Sequence, residues 1–399
     1  MLGCDLYLAP SKIPGSDRGI FAGHSYEKHS IVDTGHTILL NYQTIHKRQV
    51  SNYLFASEDG INAIAIFGAS MLYNHRRPMN IFYTYNELPP PAPQVLPLVY
   101  SQPYSSYPSL DFIAEVDIEA YEEILTSYGD PDWFITRGIT LSLPPKNMSY
   151  LSTLDELEKH GHCITDVYLN ASTIPFAGKG VFAKRPFRKG EKVSISPVIF
   201  ISKKLLVKLS DSSVIINYCF CSESSDVCIF PIGMGGMTNH GGSSSNVEIS
   251  WYNWGDEQKL PEKLSWSAED LEKYPAAPLD IVYRASRDIS AGEEIFVSYG
   301  VEWENQWTRH LRALQQWNRE YNSEKVGNFM KPQFRFPISP PLNLFPEPWN
   351  HAECIDHIGC GNNRKNLKRK KNLKRKIQIE LKEIQASFQF MEQFFRNSQ

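Results

Sequence analysis

The sequence predicts a mainly β chain with some helix, organised as two tandem copies of one domain with a helical, basic tail behind them. Three internal matches carry that prediction. Residues 116–129, VDIEAYEEILTSYG, return 171 positions later as residues 287–300, RDISAGEEIFVSYG, with nine of fourteen positions identical. Residues 7–22 match residues 168–183 at eight of sixteen positions. Between these blocks, residues 52–55 with Asn74-His75 answer residues 217–220 with Asn239-His240. Self-similar blocks repeated in the same order mark a duplicated unit rather than chance.

The first copy is expected over residues 5–135, a linker over 136–160 and the second copy over 161–307. A docked helix with an irregular segment (308–362) and a basic amphipathic tail (363–399) would follow. The first copy opens with Tyr7-Leu8, turn residues, and Arg18-Gly19-Ile20-Phe21-Ala22, which reads as strand, turn, strand. Short β-prone runs at 31–32 and 37–40 continue the pattern, and 62–67 and 80–85 are of strand length. Residues 88–110 carry seven prolines and read as a loop with no element of its own. Its counterpart in the second copy is 253–277, so both copies take an insertion at one place, as surface loops do. Residues 151–160, LSTLDELEKH, predict a short polar helix.

After the repeats, Trp303, Trp307, Leu311, Leu314, Trp317 and Tyr321 fall at steps of three and four. That spacing predicts an amphipathic helix docked on the second copy. Residues 329–348 are rich in Pro and Phe and are expected to be irregular. Ile377, Leu381, Ile384, Phe388, Met391 and Phe395 have the spacing of a coiled-coil seam, too short to separate dimerisation from internal docking.

Composition narrows the class. With 42% apolar and 21% charged residues, the 399-residue chain can bury a sizeable core. No apolar run reaches 18 residues, so no membrane span is expected. The first twenty residues lack a basic start and an apolar stretch, so no secretory leader is expected. Seven cysteines, odd in number and unevenly spaced, are not expected to form a disulfide framework. They point to an intracellular, reducing setting, nuclear or cytoplasmic. The net charge is −3, and the run from Arg364 to Lys376 holds nine basic and no acidic residues. Subtracting those nine charges from −3 leaves −12 for the rest, an acidic body that suits a basic peptide partner. The basic run itself suits a nucleic-acid or acidic-partner contact, or a solvated tail.

The chemistry-bearing residues lie in the repeats. A Gly-x-Gly turn before a strand, an Asn-His pair further on, and Gly-Glu-Glu-apolar ending in Tyr-Gly together resemble a SET domain. Gly178-Lys179-Gly180 is similar to that family's first Gly-x-Gly motif. Met237-Thr238-Asn239-His240 resembles the start of its Asn-His-Ser-Cys-x-Pro-Asn motif, and residues 292–295 with Tyr299-Gly300 its closing motif. Each piece is weak alone, but their order, their spacing over about 120 residues and their double occurrence are specific.

The resemblance implies two tandem SET-like domains of β-clip type, in which the Asn-His segment threads beneath the final loop. It implies S-adenosylmethionine as cofactor in one cleft and a protein lysine entering from the other side. Its activity would be that of a protein-lysine N-methyltransferase. Gly178, Lys179 and Gly180 would bring backbone close to the cofactor, Asn239 and His240 would bind it, and Tyr299 would be catalytic at the channel mouth. The sequence departs from the family after Asn239-His240, where Gly241-Gly242-Ser243-Ser244-Ser245-Asn246 replaces Ser-Cys-x-Pro-Asn with one residue inserted. In the first copy Asp17 replaces a glycine, Arg76-Arg77 follow Asn74-His75, and Tyr121 replaces the glycine of Gly-Glu-Glu. The first copy is therefore expected to be the degenerate one, with Tyr128 in the position of Tyr299.

No metal site is expected. Cys219, Cys221 and Cys228 have no fourth ligand in view and are expected to pack as small buried hydrophobes. His351, Cys354, His357 and Cys360 recur at every third position, which suits either zinc or an irregular loop. The alternative to methyl transfer is a catalytically inactive tandem protein that binds a peptide.

Overall fold

The computed structural model describes residues 3–41, 49–56, 62–86, 109–129, 131–139, 149–174, 177–210, 214–222, 225–321, 338, 344–346 and 349. The basic run, the coiled-coil spacing and the four His and Cys residues at 351–360 lie outside them.

In chain order the first half comprises β1 (Leu6–Pro10), β2 (Arg18–Ala22), β3 (Ile31–Asn41), β4 (Phe55–Ala56), β5 (Asn62–Phe67), β6 (Asn74–His75), β7 (Ile81–Asn86), β8 (Ser109–Ala114), β9 (Glu123–Thr126) and helix α1 (Asp132–Ile135). Helix α2 (Leu154–His160) and β10 (His162–Cys163) connect the halves. The second half comprises β11 (Val167–Ala171), β12 (Lys179–Ala183), β13 (Lys192–Ser202), α3 (Lys203–Ser210), β14 (Phe220–Cys221), β15 (Val227–Pro231), β16 (Asn239–His240), β17 (Val247–Tyr252), α4 (Ala268–Lys273), β18 (Leu279–Ala285), β19 (Glu294–Val297) and α5 (Val301–Tyr321).

The sheets match between the halves. One sheet runs β1-β2-β9-β6 in the first half, extended by β10 beside β1, and β11-β12-β19-β16 in the second. The other runs β4-β5-β3-β8-β7 and β14-β15-β13-β18-β17. In both halves the Asn-His strand pairs parallel to the last strand, Asn74 opposite Leu125 and Asn239 opposite Phe296. Among the described strands every other pair is antiparallel. The fold is thus mainly β, with two sheet groups of one topology.

The halves do not have separate cores. Residues 192–202, KVSISPVIFIS, are a run of β-branched and aromatic residues in which nine consecutive positions are buried. Ile195, Ile199 and Ile201 of β13 join Ile64, Ile66, Phe67 and Phe112 of the first half in one cluster. Val193, Val198 and Phe200 face Ile229, Ile281 and Tyr283 of the second. A strand buried on both faces loses the polar alternation of a surface strand and reads as continuous apolar sequence.

Several expectations hold in detail. α2 begins with Thr153, whose hydroxyl accepts from the Glu156 N–H while the Glu156 carboxylate accepts from the Thr153 N–H. This capping box satisfies two orphan donors of the first turn. α5 turns Trp303 into the second half's core, while Val301 on its first turn is 72% exposed. Among the described residues no helix is long and apolar enough to cross a membrane.

Others are corrected. Residues 31–32 and 37–40 form one strand, because β3 runs unbroken through Gly35 with a bulge between Ile31 and Asp33. The segment 253–277 is not a bare loop. It contains α4, and its carbonyls at Leu271, Tyr274 and Ala276 accept from the Gln49 side chain of the first half. The Pro- and Phe-rich segment also contributes to the core: Ile338, Leu344 and Phe345 are buried, Ile338 pairs with Phe220, and just beyond the segment Trp349 is fully buried between Phe200 and Trp251. Aromatic burial of this size outweighs the absence of regular backbone pairing.

The cysteine expectation fails. Cys4 is bonded to Cys163 and Cys221 to Cys228, while Cys219 is free and buried as expected. Spacing hid the first pair, 159 residues apart, because it forms only once β1 pairs with β10. The second joins direct partners across β14 and β15.

Candidate functional site

A buried carboxylate organises the site. Glu294, at the start of β19, is 2% exposed. Its Oε1 accepts from the Ser172 hydroxyl at 2.7 Å and from Asn239 Nδ2 at 3.1 Å. Its Oε2 accepts from the Thr173 N–H at 2.6 Å and the Thr173 hydroxyl at 2.5 Å. Four donors on one carboxylate are the compensation that burying a charge requires. They tie β19, the loop after β11 and the Asn-His strand into one body.

The glycine turn fits around it. A Cβ on Gly180 would lie 2.0 Å from Glu294 Oε1 and 3.1 Å from Asn239 Nδ2. Gly178 has φ +75° with nothing within 4 Å of a would-be Cβ, so conformation rather than space requires glycine there. Asn239 Nδ2 also donates to the Lys179 carbonyl at 2.9 Å. Asn246, fully buried, brackets β19 from the other side: its Nδ2 donates to the Glu294 carbonyl and its Oδ1 accepts from the Phe296 N–H. Between them Gly241–Ser245 form a tight turn, with the Ser244 N–H on the Gly241 carbonyl and the Ser245 N–H and hydroxyl on the Gly242 carbonyl.

His240 and Tyr299 meet at the parallel crossing. His240 Nδ1 accepts from the Tyr299 N–H at 2.9 Å. In the neutral ring the proton therefore sits on Nε2, which is buried, has no hydrogen-bond partner and lies 3.8 Å from the Glu304 carboxylate. Burial lowers the His240 pKa, and Glu304 opposes that in part. The Tyr299 hydroxyl donates to the Thr238 carbonyl at 2.5 Å. Burial pushes its pKa well up, so the phenol is neutral. Trp303 closes the group, edge-on to Tyr299 at 4.7 Å, 5.1 Å from His240 and stacked on Trp307 at 5.6 Å.

The first half repeats the frame. Glu123 accepts from the Ser11 hydroxyl, the Lys12 N–H and Asn74 Nδ2, and Asn74 also donates to the Arg18 carbonyl. Asn80 brackets β9 as Asn246 brackets β19. His75 Nδ1 accepts from the Tyr128 N–H, and the Tyr128 hydroxyl donates to the Tyr73 carbonyl. The differences lie at the edges. Where the second half has Gly190 and Gly292 at positive φ, the first has His29 (φ 70°) and Tyr121 (φ 68°). Arg77 donates to the Gly129 carbonyl, and Arg137 lies 4.2 Å over the Trp133 ring. Gly129 and Trp133 are the neighbours of Tyr128, the Trp133 ring lying 4.7 Å from the Tyr128 ring.

Every site residue named from the sequence is therefore in one place: Gly178, Lys179, Gly180, Asn239, His240 and Tyr299. The sequence reading missed Ser172, Thr173, Thr238 and Trp303, and assigned no part to Glu294. Ser172 and Glu294 had a signal, since Ser11 and Glu123 stand at the same places in the first copy. Lys179 points away from the crossing, its Nζ 2.8 Å from His36 of the first half.

Residues 178–300 match the family model of the SET domain. That stretch of the chain is a SET domain, and its bounds fall on the Gly-x-Gly turn at one end and Tyr299-Gly300 at the other. Comparison with curated proteins gives no match. Solved structures with similarity include a Plasmodium falciparum protein described as a candidate histone methyltransferase, 20% identical over 35% of this chain and 96% of that one, with a TM-score of 0.23. They also include the Chaetomium thermophilum polycomb repressive complex 2, 21% identical over 34% of this chain, with a TM-score of 0.24. The match covers 15% of that polycomb chain.

Proposed function

We propose that the SET domain of the second half transfers a methyl group from S-adenosylmethionine to the side-chain amine of a protein lysine. Tyr299 is the catalytic residue, and Gly178, Lys179, Gly180, Asn239 and His240 hold the cofactor. On this reading residues 161–307 are the working domain, residues 136–160 the linker, and residues 5–135 a degenerate copy. The observation that carries it is the imidazole of His240. One nitrogen is spent on the Tyr299 N–H, and the other presents a buried N–H beside the rings of Tyr299 and Trp303 that makes no hydrogen bond within 3.5 Å, its nearest carboxylate being Glu304 at 3.8 Å. A donor left unpaired among aromatic faces costs free energy unless a ligand meets it. A flat heteroaromatic group with an acceptor nitrogen, such as adenine, fits that requirement.

S-adenosylmethionine would supply an electrophilic methyl group on a sulfonium. The chain's part is binding, orientation and field. Glu294 fixes Asn239 and the 178–180 turn in one body, so the cofactor-facing backbone is set before anything binds. The neutral Tyr299 phenol donates its hydrogen bond to the Thr238 carbonyl, which leaves its oxygen lone pairs to accept from an incoming amine. A free lysine amine has a pKa near ~10.4, so burial among these aromatic residues is what would favour its neutral, nucleophilic form.

The second reading, a peptide-binding protein without turnover, drew on the missing Ser-Cys-x-Pro. The ordered turn at 241–245 weakens it, because that segment is held by its own hydrogen bonds.

The test is calorimetric titration of S-adenosylmethionine, followed by methylation of lysine peptides. One site of micromolar order is expected, lost in Asn239→Ala. Tyr299→Phe should keep binding and lose turnover about 100-fold. A folded wild-type protein that binds no S-adenosylmethionine overturns the proposal.

A further inference from the structure

The segment that delivers Thr238 to Tyr299 is braced from the other half of the molecule. Residues 234–237, Met-Gly-Gly-Met, form a single turn whose end is Thr238, with the Thr238 N–H on the Gly235 carbonyl. Its two glycines are there for two different reasons. A Cβ on Gly235 would meet Ser196 Oγ at 2.2 Å and the Tyr283 ring at 2.4 Å, both within the second half. A Cβ on Gly236 would meet the Pro231 carbonyl at 2.6 Å and Cε1 of Phe67 at 2.8 Å.

Phe67 belongs to the first half. It ends β5, is 1% exposed, and lies 5.0 Å from the Tyr218 ring and 6.0 Å from the Phe230 ring of the second half. At the place matching Gly236, three residues after the glycine that opens the turn, the first half has Met71, 5% exposed. The first half thus fills that space with its own side chain. The second half leaves it empty and takes a phenylalanine from its neighbour.

We propose that Phe67 is a positioning residue for the second half's site. It holds the 234–237 turn so that the Thr238 carbonyl meets the Tyr299 hydroxyl and Asn239-His240 stay paired with β19. The first half therefore serves the site as a brace rather than as a second catalytic centre. The path is short and made of packed atoms: the Phe67 ring on Gly236, two residues to Thr238, and one hydrogen bond to Tyr299. Close-packed interiors transmit such displacements because no free volume absorbs them. The catalytic meaning of the brace rests on the function proposed above, but the brace itself can be tested without any turnover.

The test is hydrogen exchange on the intact, ligand-free protein, read at the Tyr299 amide, which is bound to His240 Nδ1. Phe67→Ala and the conservative Phe67→Leu are compared with Phe112→Leu. Phe112 is a buried control in the same half, packed on Phe55, Tyr73 and Tyr83. Phe67→Ala should speed Tyr299 exchange about tenfold and Phe67→Leu by less, with Phe112→Leu leaving it at the wild-type rate. Unchanged exchange in a folded Phe67→Ala protein overturns the proposal, and so does an equal rise in Phe112→Leu, which would mean general loosening. Should Phe67→Ala fail to fold, the two leucine variants decide by the same comparison. Cofactor calorimetry on the wild type judges the functional reading separately.

Discussion

The Arg18 guanidinium of the first half lies 2.5 Å from the Asp280 carboxylate of the second, with side chains only 11% and 3% exposed. Arg18 also donates to the Ala277 carbonyl, and Trp254 donates to the same Asp280 oxygen. Arg18, in Asp17-Arg18-Gly19 of the first half, stands at the place that Lys179 holds in Gly178-Lys179-Gly180 of the second. Lys179 reaches the opposite way, to His36, and His36 pairs with Ser109 as Pro197 pairs with Asp280. The two turns thus clasp opposite halves across an approximate two-fold.

Arg18→Ala should strand a buried carboxylate and cost about 3–5 kcal/mol in urea unfolding. The double variant Arg18→Met with Asp280→Leu removes both charges and should recover most of that loss. If the single and double variants lose equally, packing rather than charge holds the junction.

Gly178→Ala and Gly180→Ala should behave differently although they flank one lysine. The first strains only a left-handed backbone and should cost about 1 kcal/mol. The second drives a methyl into the Glu294 carboxylate, and should cost about 2–4 kcal/mol and disorder Asn239 with it. Thermal melts of the two proteins side by side give the answer.

His29 is exposed and sits at φ 70° where the second half has Gly190 at φ 84°. His29→Gly should stabilise the protein by about 1 kcal/mol by relieving that strain. Gly190→His should lose a similar amount. Urea midpoints with unchanged slopes would be the signature.

The Asp33 carboxyl accepts from the Tyr73 hydroxyl at 3.3 Å. Burial pushes its pKa up from 3.8 to about 6, against hydrogen bonds from Tyr73 and three backbone N–H groups that lower it. The folded state therefore holds this proton more tightly than the unfolded chain. Its contribution is complete below 3.8 and is lost as pH rises through about 6, by at most about 3 kcal/mol. Asp33→Asn should gain on the wild type across that window and run parallel to it above pH 7. A constant difference between the two from pH 4 to pH 7 would mean that Asp33 does not titrate there.

Much of the frame could be read from the chain because it is local or repeated. The capping box at Thr153 and Glu156, the tryptophan spacing of α5 and the paired Asn-His segments each lie within a few residues, or occur twice. The meaning of Gly180 could not be read, because the atom that excludes its Cβ belongs to Glu294, over a hundred residues away. The structure adds to the glycine pattern a constraint from within the protein, the Glu294 carboxylate that a Cβ on Gly180 would meet. Gln49, Arg18 and Phe67 left no pattern at all. Each acts on the opposite half, and no periodicity within one element records a partner in another. The Cys4–Cys163 pair stayed hidden because its members lie 159 residues apart.

Because Cys4 is bonded to Cys163, the first half is a covalent ring of backbone from which the rest of the chain emerges. A single peptide-bond cut anywhere between those two positions opens the ring but releases no fragment. Such a nicked protein keeps its full mass on a non-reducing gel and separates into two pieces only after thiol is added. Damage to this half can therefore be carried without loss of the brace it lends to its neighbour.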